Sequence, residues 1–273
     1  MNSRESLPDI NRLSIISAVI MLAFALTQIV SFPTQTFSIS VFGIILDFSL
    51  DIKTIIIILT ALLAAAGMDW LILSHPDHKR YQSRWEYVRH WILPVLTTFA
   101  IGVTLNTFSG GTPWLVIFGL GSILLMAVLI AEYNIVSAED VRHPLATIGL
   151  TGLSFALYLL LAIAVRSVSL RLYALLPILA FGVMMVTSRT LYLRLGEWDT
   201  VWPLVISLIV SEIAIGFHYL PLSPIQFGVL LMGSTYALTS IYTAIKEKRL
   251  GWIFWSEPIS MVIVMIVISL VWG

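Results

Sequence analysis

About nine long apolar stretches run through this chain, and they leave very few folds open. They lie at residues 11–31, 52–73, 90–107, 112–132, 145–166, 171–192, 201–219, 224–245 and 253–272. A helix needs roughly 20 apolar residues to cross a hydrocarbon core about 30 Å thick. No water reaches that depth, so backbone N–H and C=O groups must pair within each segment, and continuous apolar stretches of this length must be helices. A membrane β-barrel would instead need short strands of alternating character. Composition agrees: of 273 residues, 59% are hydrophobic and 11% charged, against about 25% charged in soluble chains. The expectation is an all-α, polytopic transmembrane bundle of about nine spans. It forms a single membrane domain over residues 1–273, with no room for a separate soluble domain.

The 15 Lys and Arg residues are unevenly spread. If successive connections alternate sides, twelve share one side: Arg4, Arg12, Lys79, Arg80, Arg84, Arg89, Arg142, Arg189, Arg194, Lys246, Lys248 and Arg249. Only Lys53, Arg166 and Arg171 fall on the other. Basic connections stay cytoplasmic during insertion, which predicts a cytoplasmic N-terminus, an external C-terminus and a bacterial inner-membrane setting. The first stretch carries Arg4 and Arg12 before its apolar run and is followed by Ser31-Phe32-Pro33-Thr34. That sequence lacks a small-x-small cleavage signal, so the span is expected to be retained as an anchor. Cysteine is absent, which removes disulfides, thiol catalysis and thiolate metal sites. The zero net charge gives no reason to expect nucleic acid as a partner.

The long connection after the first span is the one external segment with its own pattern. Phe37, Ile39 and Val41 alternate with Ser38 and Ser40; beyond Gly43, Phe48 and Leu50 alternate with Asp47, Ser49 and Asp51. A period of two about a glycine predicts a small exterior β-hairpin, with an interfacial helix over 33–51 as the competing reading. The connections at Ser109–Pro113, Val165–Arg171 and Leu220–Pro224 are tight and join helical hairpins. Small residues recur four apart, as Ala61 with Ala65, Gly152 with Ala156, Ser207 with Ser211 and Gly233 with Ala237. Such stripes let helix backbones approach in lipid.

Glu212 is the single acid near the middle of a span. A carboxylate is expensive there, so it must be protonated, paired or facing a water-filled cavity. It is a candidate intramembrane coupling site, or else polar glue between helices. His218 and Arg166 form a candidate outer polar layer. On the inner side, Asp69 and Glu132 are candidate acids. Arg84, Arg89, Arg189 and Arg194 are candidate contacts for anionic lipid headgroups, since guanidinium suits phosphate. The plainer reading of that face is the positive-inside bias plus an interfacial belt of Trp70, Trp85, Trp91, Trp198, Trp252 and Trp255. His75-x-x-His78 carries a proline and makes a poor metal motif, so neither metal nor cofactor is expected. Catalytic signatures of prenyltransferases, intramembrane serine proteases and membrane metalloproteases are missing.

Several landmarks together resemble a family of bacterial polytopic integral membrane proteins with no known activity. They are Gly67-Met68-Asp69-Trp70-Leu71 followed by His75-Pro76, Glu132-Tyr133, and Arg142-His143-Pro144-Leu145-Ala146. Arg189 through Leu195 and His218-Tyr219-Leu220-Pro221-Leu222-Ser223-Pro224 complete the set. The resemblance implies a bacterial inner-membrane protein and transfers no functional residue. Three functions compete. The first is a non-enzymatic scaffold or subunit of a membrane assembly, whose partners are lipids and other membrane subunits. The second is a small-solute or ion/proton-coupled transporter using Glu212. The third is a lipid-linked enzyme with an inner-face site around Asp69, Glu132 and Arg189.

Overall fold

The computed structural model describes residues 8–29, 35–41, 44–50, 52–75, 85–108, 110–137, 141–168, 171–248 and 251–271. Its elements run α1 (Ile10–Ile29), β1 (Gln35–Val41), β2 (Ile44–Leu50), α2 (Ile52–Ile72), α3 (Trp85–Asn106), α4 (Gly111–Ile135), α5 (His143–Ser167), α6 (Leu172–Leu195), α7 (Val201–His218), α8 (Pro224–Lys246) and α9 (Trp252–Val271). Every expected span overlaps one of these helices. The largest offset is at α3, which begins at Trp85 rather than 90. Its first turns carry Glu86, Tyr87 and Arg89, so the helix continues where the hydropathy does not. Helices α1 to α8 are long and apolar enough to cross a membrane, whereas in α9 the apolar stretch Phe254–Ser269 is shorter.

Outward-facing side chains are themselves apolar: Leu120 is 63% exposed, Ile123 66%, Ile148 75% and Leu208 58%. Water-soluble proteins do not carry stripes of this kind on helix after helix. They match hydrocarbon. Trp70, Trp198, Trp252 and Trp255 are also exposed, each at or just beyond a helix end.

Contacts divide the chain into two compact units, Met1–Ala146 and Thr147–Gly273, where the sequence is read as one membrane domain. In the first unit α1 packs on α2, α2 on α3, α3 on α4, and α4 returns to α1. Their core includes Ile20 and Phe24, Ala64 and Met68, Ile101 and Leu105, and Leu125 and Leu129. Asp9 starts α1 by accepting the Asn11 N–H at 2.9 Å. Arg12 then donates to the Trp70 carbonyl at 2.9 Å, tying the start of α1 to the end of α2. The turn into α4 is built on Gly110 and Gly111, at φ 114° and 80°, where a side chain would be strained. Strands β1 and β2 pair antiparallel, with Phe37 opposite Phe48, Ile39 opposite Leu46 and Val41 opposite Ile44.

In the second unit α6 packs on α7, α7 on α8, α8 on α9, and α6 also meets α8. Small residues make these approaches possible, but not all of those in the expected stripes take part. Ser207 donates to the Ala180 carbonyl at 2.7 Å, holding α7 to α6. A Cβ on Gly233 would meet Met265 of α9 at 2.8 Å, whereas one on Gly152 would meet nothing within 4 Å. Gly152 and Ala156 are exposed. Contacts of α5 with α6 and α8 rest instead on Gly182 against Leu161 and on Gly228 against Ile163. Helix α8 is the most enclosed, with a capping box at its start: Gln226 N–H donates to Ser223 Oγ at 3.3 Å and Ser223 N–H to Gln226 Oε1 at 2.8 Å.

In the first unit, a Cβ on Gly102 would lie 2.7 Å from Ile57 Cγ1 and 2.9 Å from Phe24 Cε1. Gly102→Leu should therefore overpack the α1–α2–α3 contact and destabilise by about 1–3 kcal/mol. Gly152→Leu meets open space and should cost far less. Thermal unfolding in one detergent checks the pair.

Candidate functional site

Antiparallel α3 and α4 bring the start of one beside the end of the other, and there they bury a titratable pair. His90 Nδ1 lies 2.9 Å from Glu132 Oε2, and both side chains are fully buried. Next to Glu132, the Tyr133 ring packs 4.6 Å from that of His75, just beyond α2. Asn134 is buried as well, and its Oδ1 has no hydrogen-bond partner among the described residues. Three elements thus converge on one polar layer inside the first unit.

The second unit has a corresponding layer where α6 and α8 end and α7 and α9 begin. Glu257 Oε1 accepts from Arg194 Nη2 at 3.2 Å and from the Tyr236 hydroxyl at 2.6 Å, joining α6, α8 and α9. Asp199 Oδ1 accepts the Val201 N–H at 2.9 Å, starting α7, and its Oδ2 accepts the Tyr242 hydroxyl at 2.7 Å, holding α8. The Trp202 ring stacks on Tyr242 at 4.7 Å. Partial burial pushes the Asp199 carboxyl upward. The bonds from Tyr242, Val201 and Trp202, together with Lys246, outweigh this and hold it below the usual aspartate range.

At the opposite end of this unit, Arg166 Nη1 lies 3.1 Å from His218 Nδ1. Arginine can only donate, so Nδ1 accepts and the ring proton belongs on Nε2. The Arg166 guanidinium also lies 5.3 Å from the centre of the Phe227 ring.

Glu212 lies elsewhere. It is exposed, on the face of α7 that carries Leu204, Val205, Leu208 and Ile209, all of them exposed. At about 100° per residue it falls near the middle of that face, away from buried Ser207, Val210 and Ala214. No hydrogen bond or ion pair joins it to any other described residue.

The other sequence candidates fall in both units. Asp69 is half-buried near the end of α2 and Glu132 is committed to His90. Arg189 is completely buried, its guanidinium 5.4 Å from the Tyr192 ring centre, so it belongs to the packed interior and not to a headgroup-facing surface. Arg194 is engaged with Glu257, Arg89 is half-buried, and Arg84 lies outside the described residues. Among the described residues, no group of three or more His, Asp or Glu could hold a metal ion. Sequence reasoning missed the His90–Glu132, Arg194–Glu257–Tyr236 and Asp199–Tyr242 ties. Asp199 with Pro203 four residues on does mark the start of α7, but nothing local points to Tyr242, 43 residues away.

A family model described as protein of unknown function (DUF5656) matches residues 32–272. No curated protein and no solved structure matches the chain.

Two outcomes follow from the polar layers. His90→Leu and Glu132→Leu each remove a buried hydrogen bond and should destabilise by about 1–3 kcal/mol. The double variant should cost less than their sum, as a double-mutant cycle of unfolding would register. Asp199 has a folded pKa below its unfolded one. Its stabilisation is therefore present above the unfolded aspartate value and is lost as pH falls through the depressed one. The melting temperature should drop on acidification across that window, and Asp199→Asn should flatten the drop.

Proposed function

The chain belongs to the DUF5656 family, and on that premise we propose that it is a non-enzymatic multi-pass membrane protein, a scaffold or a subunit of a membrane assembly. One observation carries this reading, the exposed position of Glu212 in the middle of an apolar helix face. By helical rise it lies about 16 Å along α7 from Val201 and about 9 Å from His218, too deep for a short side chain to reach the headgroups easily. A carboxyl facing hydrocarbon is costly. Another protein surface removes that cost, and the described residues of its own unit offer it no partner.

The transporter reading needs a water-filled path to Glu212, and its surroundings of exposed Leu and Ile side chains give that reading no support. An inner-face enzyme would need Glu132, which is held by His90. The distribution of basic residues supports a cytoplasmic N-terminus in a bacterial inner membrane. The buried charges are then ties between helices.

Native mass measurement of the protein extracted directly into lipid nanodiscs tests this. A complex heavier than the single 30.4 kDa chain is expected, and its mass should fall with Glu212→Leu. A single chain as the sole species would overturn the reading.

A further inference from the structure

We infer that Arg166 binds a phosphate group, carried either by a lipid headgroup or by a free solute. Arg166 lies in the last turn of α5, and its side chain is half-buried. All its partners are neutral. Nη1 donates to His218 Nδ1 at 3.1 Å, Nη2 reaches the His218 carbonyl at 3.5 Å, and the Phe227 ring centre lies 5.3 Å away. Charge-assisted hydrogen bonds run about 2.7–2.9 Å, so these longer contacts offset little of the charge. No ion pair joins Arg166 to any described acid.

A guanidinium stays charged, and a half-buried charge without a counter-ion is costly. The second unit supplies none at this end. Of its five acids, Glu197, Asp199, Glu247 and Glu257 belong to the opposite end. The fifth, Glu212, lies about 9 Å along α7 from His218. Arg171, at the boundary of α6, adds a second positive charge at the end that holds Arg166. On the orientation supported above this is the outer end, where insertion disfavours arginine. The site therefore offers donors and positive charge and no carboxylate. Of the five N–H groups of an arginine, two go to His218, which leaves three for a ligand. His218 and Phe227 hold the guanidinium in place, and its fork of donors matches the oxygens of a phosphate. Helix ends are also the level at which lipid phosphates lie.

Purified protein in a phosphate-free maltoside detergent is titrated with inorganic phosphate, with dioctanoyl phosphatidylglycerol and with dioctanoylglycerol, which has the same tails and no phosphate. Calorimetry reads each affinity. A phosphate probe should bind saturably, and more tightly than dioctanoylglycerol. Arg166→Gln should weaken that binding by roughly ten-fold or more, the order expected for losing a charge-assisted hydrogen bond. Lys248→Gln removes the same charge from an exposed position at the opposite end of the unit and should leave binding unchanged. Arg166→Lys keeps the charge but loses the fork. It should also weaken binding, and it carries the test if Arg166→Gln does not fold. Binding of phosphatidylglycerol without inorganic phosphate identifies a lipid ligand, whereas binding of inorganic phosphate shows that a free one suffices. The proposal is overturned if neither phosphate probe binds better than dioctanoylglycerol, or if the Arg166 variants weaken binding no more than Lys248→Gln.

Discussion

Hydrocarbon is the surrounding to which these helices are fitted, and most other features follow from it. With no water to satisfy a stranded donor or charge, each polar group inside a span must find a partner in the protein or withdraw to a helix end. The described polar ties obey this rule. His90 with Glu132, Arg194 with Glu257, Asp199 with Tyr242, and Arg166 with His218 all lie near helix ends, and Tyr236 reaches Glu257 from the middle of α8. They connect helices that apolar packing alone would hold loosely, since lipid tails are as apolar as Leu.

Seen this way, a row of basic residues along a membrane face is weak evidence for a binding site. Insertion alone places arginines there, and packing then assigns them separate tasks. Arg194 holds α9 to α6, and Arg189 is absorbed into the interior. Glu212 is the reverse case. No insertion rule calls for it, no neighbour in its own unit engages it, and it faces outward.

Helix positions were legible because they depend on a one-dimensional quantity, the length of apolar sequence against the thickness of the core. The alternation in 35–50 was legible for a similar reason, since a period of two marks a strand, and β1 pairs with β2 there. Starts such as Asp199 before α7 and Ser223-Pro224-Ile225-Gln226 before α8 carry local signals that hydropathy overlooks. Pairings such as His90 with Glu132 carry none, because 42 residues separate the partners.

What the sequence by itself determined is the helical class, the span positions and the rarity of polar groups at depth. Each follows from counting apolar residues against a bilayer of known thickness. Only the tertiary structure decided which way a polar residue on an apolar helix points. The Ser207–Ser211 stripe marks one face of α7, but the like stripe of Gly152 and Ala156 is exposed, so the stripe alone did not decide which way Glu212 turned. Packing of Ser207, Val210 and Ala214 into the unit sent Glu212 outward. That one rotation turned Glu212 away from the core of its unit, which counting apolar residues does not reveal.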